Sequence, residues 1–345
     1  MRTSASHNCD EQKPLLLSVR DLTVSFSVDD GKFTAADRIS FDVQTGETVG
    51  LVGESGCGKS VTALSIPRLI PCPPGKIESG EIWFGGQNMM TLPSSALRDI
   101  RGKAISMIFQ EPLSALSPLH RIGRQMVEII RLHLDMPRKQ AWQVAEGWLG
   151  KVGIPDARER MFAYPFQLSG GMQQRIMIAM ALMLAPRLII ADEPTTALDV
   201  TTQAQIFALI REMKENQTAV LLITHDMGVV WEMCERILVM YASRIVETGS
   251  REDIFFNPKH PYTQGLLQAI PKLTGVREPL KDILGQVPSP LDYPVGCHFH
   301  TRCPFVMAMC RESSPPFYEC GGGHRAACFL LEDSHVCIGK ATNRS

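Results

Sequence analysis

A chain of 345 residues is long for one small domain, and its 44% apolar share can build a substantial core. Lysine plus arginine (35) nearly balance aspartate plus glutamate (36), and the net charge of −1 excludes the basic footprint of a nucleic-acid or anionic-membrane binder. No apolar run reaches the roughly 18 residues of a membrane span, and the opening "MRTSASHNCDEQKP" lacks the apolar centre of a secretory signal. The expectation is a cytosolic chain, in which clustered cysteines point to metal or redox chemistry before disulfides.

Residues 1–14 are polar and expected to be disordered. From Leu15 to Val52, β-rich runs ("LLLSVRDLTVSFSV", "RISFDV", "ETVGLVG") are separated by the turn signals "DDGK" and "QTGE". The apolar "VGLV" runs into "GESGCGKS", Gly53 to Ser60, and then into the helix pattern "KSVTALSIPRLI", which stops at the breaker "PCPPG". That strand–loop–helix context makes G-x-x-x-x-G-K-[ST] a phosphate-binding P-loop and not a chance glycine-rich turn. Glycines let backbone N–H groups converge on phosphate oxygens, so Gly53, Ser55, Gly56 and Gly58 are binding candidates. Lys59 would reach the β/γ-phosphates, and the Ser60 hydroxyl would be a Mg²⁺ ligand. Cys57 fills a position where the backbone does the binding, and reads as a small-residue choice, not a reactive thiol.

Residues 76–110 read as further strands ("GEIWFGG", "AISMIFQ"), and residues 119–185 as largely helical, with amphipathic spacing in "IGRQMVEIIRLHL" and a buried helix in "IMIAMALMLA". Strand patterns return at "RLIIAD", "TAVLLITHD" and "RILVMYASRIVETG". The first of these ends in Asp192-Glu193, the layout of a Walker B element. Asp192 would hold Mg²⁺ through a water, and Glu193 is placed to polarise an attacking water. To this point the nucleotide is ATP or GTP. Beyond Phe255 prolines crowd together, from Pro258 to Pro294, as in an extended linker to a small terminal unit.

Between the two phosphate elements lies "QLSGGMQQR", which resembles the signature of ATP-binding cassette (ABC) ATPases. The other motifs of that family follow in order: Gln110 in "IFQEP" as the Q-loop, Asp199 in "TTALD" as the D-loop, and His225 in "LLITHD" as the switch histidine. The resemblance implies an α/β fold, a P-loop NTPase cassette over residues 15–255. It would combine a RecA-like core, an antiparallel β subdomain and a helical subdomain at about 111–180. It also implies that two cassettes pair head to tail, each ATP lying between one P-loop and the partner's Ser169, Gly170 and Gly171. Gln110 would sense Mg²⁺ and the attacking water, His225 would contact the γ-phosphate, and Glu193 makes the cassette competent for hydrolysis. Phe26 in "LTVSF" is the candidate to stack on adenine, with Phe33 its rival.

The tail, in "NPKHPYTQGLLQAIP", "GQVPSP", "GCHFHTRCPFVMAMC" and "GHRAAC", resembles the C-terminal extension of peptide and nickel importer ATPases. The resemblance implies an ATP-hydrolysing subunit on the cytosolic face of the cell membrane, energising peptide import. Its partners would be a second ABC ATPase subunit (a heterodimer before a homodimer), two integral-membrane permease subunits and an extracytoplasmic binding protein. Contact with the permeases is expected around Gln110 and residues 111–120. The same role for nickel or another small solute, and a soluble ABC ATPase acting on nucleic acid or ribosomes, are the alternatives; nucleic acid is not expected as a partner.

Residues 256–345 are thus expected to form a proline-rich linker and a small Cys-rich C-terminal module. Its spacing, Cys297-x5-Cys303-x6-Cys310-x17-Cys328, is wider than the knuckles of a zinc ribbon and suits a larger iron–sulfur body. The resemblance points to a [4Fe–4S] cluster on these four cysteines. Structural zinc and free or reversibly oxidised thiols are the alternatives, Cys320 rivals Cys328 as the fourth ligand, and Cys337 is an extra. His298, His300 and His324 read as polar surface residues.

Overall fold

Short runs in which every residue is apolar or small dictate the central sheet. In the computed structural model, which describes residues 13–195, 198–215, 217–269 and 283–332, twelve strands are seen among those residues. They are β1 (Leu15–Val28), β2 (Gly31–Gln44), β3 (Thr48–Val52), β4 (Gly75–Phe84), β5 (Gln87–Asn88), β6 (Ile105–Ile108), β7 (Leu188–Asp192), β8 (Ala219–Ile223), β9 (Arg236–Tyr241), β10 (Arg244–Ser250), β11 (Tyr318–Glu319) and β12 (Arg325–Ala326). Every residue of β3, β7 and β8 is buried, the pattern of strands covered on both faces. They pair in parallel with β6 and β9, and β10, β12 and β11 continue the sheet in antiparallel fashion, in the order β11-β12-β10-β9-β3-β8-β7-β6. A second, antiparallel sheet has the order β2-β1-β4-β5.

The parallel strands all point the same way, so the loops after β3, β6, β7 and β8 emerge along one edge. Ligands bind at that edge in open α/β sheets. Between β6 and β7 the chain folds into the helices Ile122–His133, Arg138–Lys151 and Gly170–Leu182. The first buries Ile122, Met126, Val127 and Ile130, one face of a helix. The third buries Ile176 to Ala179, Ala181 and Leu182, as the run of apolar residues there leads one to expect.

Two local expectations change. The helix after the P-loop covers only Lys59–Ser65, because Pro67 has no N–H to continue the ladder; the chain turns instead through Arg68, at φ 56°. The single strand pattern read at 236–249 is a tight hairpin of β9 and β10. Ala242 and Ser243 both take positive φ (42° and 71°), the backbone of a hairpin turn that glycine or asparagine normally marks.

The C-terminal extension packs back on the cassette. Tyr262 and Phe299 from the extension form an aromatic cluster with Tyr241 of β9, with ring centroids 4.6 to 5.5 Å apart. Phe299, Cys297 and Cys303 belong to the same apolar cluster as Val52, Ile189 and Leu222. Part of the extension thus shares the apolar cluster of the central sheet, while Cys310, Ala327 and Phe329 are buried outside it.

Glu247 of β10 is the polar hub of this contact. Fully buried, it accepts from the backbone N–H groups of Lys259 (2.6 Å) and His260 (2.9 Å), and from His324 Nε2 (2.7 Å). Burial alone would push its carboxyl up, but these donors and Thr263 outweigh it and hold the carboxyl below its ordinary value. His324 and His298 are buried, not surface residues as the sequence reading has them; His298 Nδ1 lies 2.7 Å from the Ala242 carbonyl oxygen.

His260 caps the helix Pro261–Gln268 by accepting from the Tyr262 N–H (3.1 Å). Burial pushes its pKa down to about 4, against the opposing pull of Glu247. An unfolded chain binds a proton at this histidine near pH 6.5, so between about 6.5 and 4 the unfolded state holds the extra proton and folding weakens as pH falls. Glu247, with its lowered pKa, adds a loss of the same sign as pH falls further. Thermal unfolding followed from pH 7.5 to 4.5 is expected to show this slope. His260→Asn, which keeps a capping oxygen, should flatten it above pH 5.

Candidate nucleotide site and the C-terminal cysteines

The loop after β3 is shaped by steric necessity. A Cβ on Gly53 (φ 151°) would lie 2.1 Å from the Met240 carbonyl oxygen, and one on Gly58 (φ 105°) 2.0 Å from that of Ala35. No side chain fits there. Gly56 (φ 78°) faces open space and is needed for its backbone alone. Lys59 is buried and curls over the loop, its Nζ donating to the carbonyls of Gly53 (2.8 Å) and Glu54 (3.0 Å). Ser55 lies exposed at the crest, and Cys57 is buried with its thiol pushed up by desolvation, consistent with a packing role. Ser60 neighbours Asp192, whose carboxyl burial pushes up.

At the same edge the segments just past three neighbouring strands meet at one carboxylate. Gln110 follows β6, Glu193 follows β7 and His225 follows β8. Gln110 Nε2 donates to Glu193 Oε2 (3.3 Å), and His225 Nδ1 lies 3.1 Å from Glu193 Oε1. Glu193 sits at φ 47°, in the left-handed region, a backbone that non-glycine residues hold only where their surroundings impose it. Phe26 and Phe33 are cross-strand partners stacked at 5.7 Å. Both line an open cavity with Gly56, Gly58, Lys59, Ser60 and, from the extension, Pro290.

The remaining residues stand apart. Ser169 caps the helix Gly170–Leu182, accepting from the Met172 N–H (3.4 Å), and Ser169 and Gly170 are exposed. None of Ser169, Gly170 and Gly171 lines the P-loop cavity. The Asp199 carboxylate is taken up by Thr202, through its N–H (2.9 Å) and hydroxyl (2.8 Å), at the start of the helix Val200–Glu215. Sequence reasoning missed Gln174, buried in the same helix as Gly171 and donating to the Pro194 carbonyl just past Glu193. A buried glutamine in an apolar run was the available signal. It also missed Glu54, Tyr262 and Arg302, which nothing local in the sequence connects.

The metal expectation is overturned. Cys297, Cys303, Cys310 and Cys328 line one small cavity, and Cys320 does not. Yet among the described residues no group of three or more His, Cys, Asp or Glu stands where it could hold a metal ion. The cavity's other walls include Phe299, Phe305, Phe329 and Leu330. Burial raises the thiols of Cys297 and Cys303, and that of Cys328 to about 12. Neither the [4Fe–4S] cluster nor zinc is supported. Cys337 lies outside the described residues, as do residues 1–12.

Comparison with known proteins adds the family. Residues 36–196 match the sequence family described as ABC transporter, and residues 246–310 the one described as oligopeptide/dipeptide transporter, C-terminal region. A probable peptide ABC transporter ATP-binding protein of Sinorhizobium fredii is 49% identical over 317 residues, 91% of this chain and 95% of the relative. The oligopeptide transport ATP-binding protein OppD of Escherichia coli is 47% identical over 92% of this chain and 94% of its own length, and the dipeptide transport ATP-binding protein DppD of the same organism 44% over 92% and 98%. Among solved structures, a dimeric ATP-binding cassette in a post-hydrolysis state bound to ADP and Pi is similar with a TM-score of 0.63 at 26% identity, covering 68% of this chain and 99% of that one. No helix of the described residues is long and apolar enough to cross a membrane.

Two loop glycines should separate sterics from strain. Gly58→Ala, which drives a methyl into the Ala35 carbonyl, is expected to abolish ATP binding measured by calorimetry. Gly56→Ala meets only the left-handed backbone, a cost of roughly 1–2 kcal/mol, and should weaken binding without abolishing it.

Proposed function

This chain belongs to the family of ATP-binding proteins of oligopeptide and dipeptide ABC transporters, and from that premise we propose that it hydrolyses ATP to energise the import of peptides through a membrane transporter. The observation that carries the chemistry is the convergence of Gln110 and His225 on the Glu193 carboxylate beside the P-loop. The peptide class rests on the C-terminal match and on the names of the relatives.

The site residues divide by task. Backbone N–H groups of residues 53–60 hold the phosphates, and Lys59 exchanges the Gly53 and Glu54 carbonyls for phosphate oxygens. Phe26, with Phe33 beside it, offers a ring to the adenine. Mg²⁺ suits the donor set, since the Ser60 hydroxyl and the Asp192 carboxylate are neighbours and Gln110 lies at the same edge; when bound it neutralises phosphate charge. Glu193 takes a proton from the attacking water as general base. Gln110 orients that water, and His225 steadies Glu193 and meets the γ-phosphate.

One chain holds half of each site. Ser169 and Gly170 are exposed and Gly171 half-buried at the start of a thirteen-residue helix, ready to complete a partner's ATP site with backbone N–H groups. Asp199 would lie at the same contact. We take the partner to be a second, related cassette, a heterodimer before a homodimer. Closure of the pair would be passed to two membrane-spanning permease subunits through the surface at 111–120, with a binding protein supplying the solute outside. The chain would act as a peripheral subunit at the cytoplasmic face, its cassette at 15–255 and its extension at 256–345.

Glu193→Gln should reduce ATP turnover of the assembled transporter by about 10²–10³-fold, within the range for loss of a general base, while ATP binding persists. Unchanged turnover would remove Glu193 from the chemistry or place hydrolysis in the partner's site.

A further inference from the structure

Glu54 lies inside the P-loop, in a position whose side chain the phosphate motif leaves unspecified, yet it is held at three points. Its N–H donates to the Tyr262 hydroxyl (2.9 Å). Its carbonyl accepts from Lys59 Nζ (3.0 Å). Its carboxylate receives both arms of the Arg302 guanidinium, Nη1 to Oε2 at 2.7 Å and Nη2 to Oε1 at 3.1 Å. Two of these partners come from the C-terminal extension.

Arg302 is committed to this contact. Its side chain is 4% exposed, and its other donations go to the carbonyls of Leu284 (3.1 Å) and Ile283 (3.2 Å) and to the Tyr241 hydroxyl (3.4 Å). A buried, bidentate arginine fixes geometry as well as charge, which a lysine cannot reproduce. Without it, a carboxylate 29% exposed would stand uncompensated in a loop built to receive an anion. Partly buried like charges of this kind are poorly screened by solvent.

We infer that Arg302 is a positioning residue of the nucleotide site: acting through Glu54, it cancels a negative charge within the P-loop and fixes the backbone over which Lys59 is folded. The C-terminal extension is thereby part of what makes the loop bind ATP. This rests on the reading of residues 53–60 as the nucleotide site. The cysteine-bearing segment thus bears on ATP through the arginine between two of its cysteines.

The test uses the full-length chain for ATP binding by calorimetry, and the assembled transporter for steady-state hydrolysis. Arg302→Gln should raise Kd and KM for ATP about tenfold, the factor that 1.4 kcal/mol represents, with kcat little changed. Glu54→Gln combined with Arg302→Gln should recover most of that loss, because the uncompensated charge is gone. A general loss of structure would instead lower kcat and the melting temperature and would not be rescued. If Arg302→Gln does not fold, Arg302→Lys serves, with a smaller rise in KM expected from a retained charge without the fork. Wild-type KM in both arginine variants, or a double variant as weak as Arg302→Gln alone, overturns the inference. A wild-type chain that does not bind ATP overturns the nucleotide site itself, and the inference with it.

Discussion

A close backbone approach at the phosphate loop sets the terms for everything around it. At Gly53 and Gly58 the P-loop passes so near the carbonyls of Met240 and Ala35 that no Cβ can stand between. Met240 lies on β9 of the parallel sheet and Ala35 on β2 of the antiparallel one. The loop is thus wedged where the two sheets meet. The apolar clusters of both sheets reach this wedge, with Val52 in one and Cys57 in the other. Moving either sheet would move the loop, so the cores on the two sides hold the phosphate site in place through Val52 and Cys57.

How legible this was depends on the range of each interaction. The P-loop, the acidic end of β7 and the histidine after β8 were readable because strand, loop and side chain adjoin in sequence. Their convergence follows from the parallel sheet, which sets the ends of β6, β7 and β8 side by side. The β9–β10 turn was not readable, because Ala242 and Ser243 carry none of the usual residues for positive φ. Their strain is imposed by tertiary contacts, with Ser243 hydrogen-bonded through its backbone to Cys57 and Asp37. Arg302 was invisible for a different reason. It stands among three cysteines that draw attention to themselves, while its partner lies 248 residues away.

The cysteines teach the complementary lesson. Spacing suggested ligands, and the fold does gather the same four around one cavity. Gathering is not enough, since among the described residues no three of these side chains stand where they could share a metal ion. The histidines nearby went the other way. Read as surface residues, His298 and His324 are buried and hydrogen-bonded, and they tie the extension to the β9–β10 hairpin through Ala242 and Glu247. The contact that anchors the tail is polar and buried, and no hydropathy pattern could have announced it.

The contact between Glu54 and Arg302 also has a direction in time. During synthesis the P-loop leaves the ribosome first, and its arginine follows after 248 residues. At about 5–20 residues per second, that interval is on the order of ten seconds to a minute. Throughout it the nascent loop carries an uncompensated carboxylate. A chain that stops before Arg302 would keep every motif of the ATPase and still lack the charge that completes its binding loop, and on the inference above it would hold ATP more weakly than the finished chain.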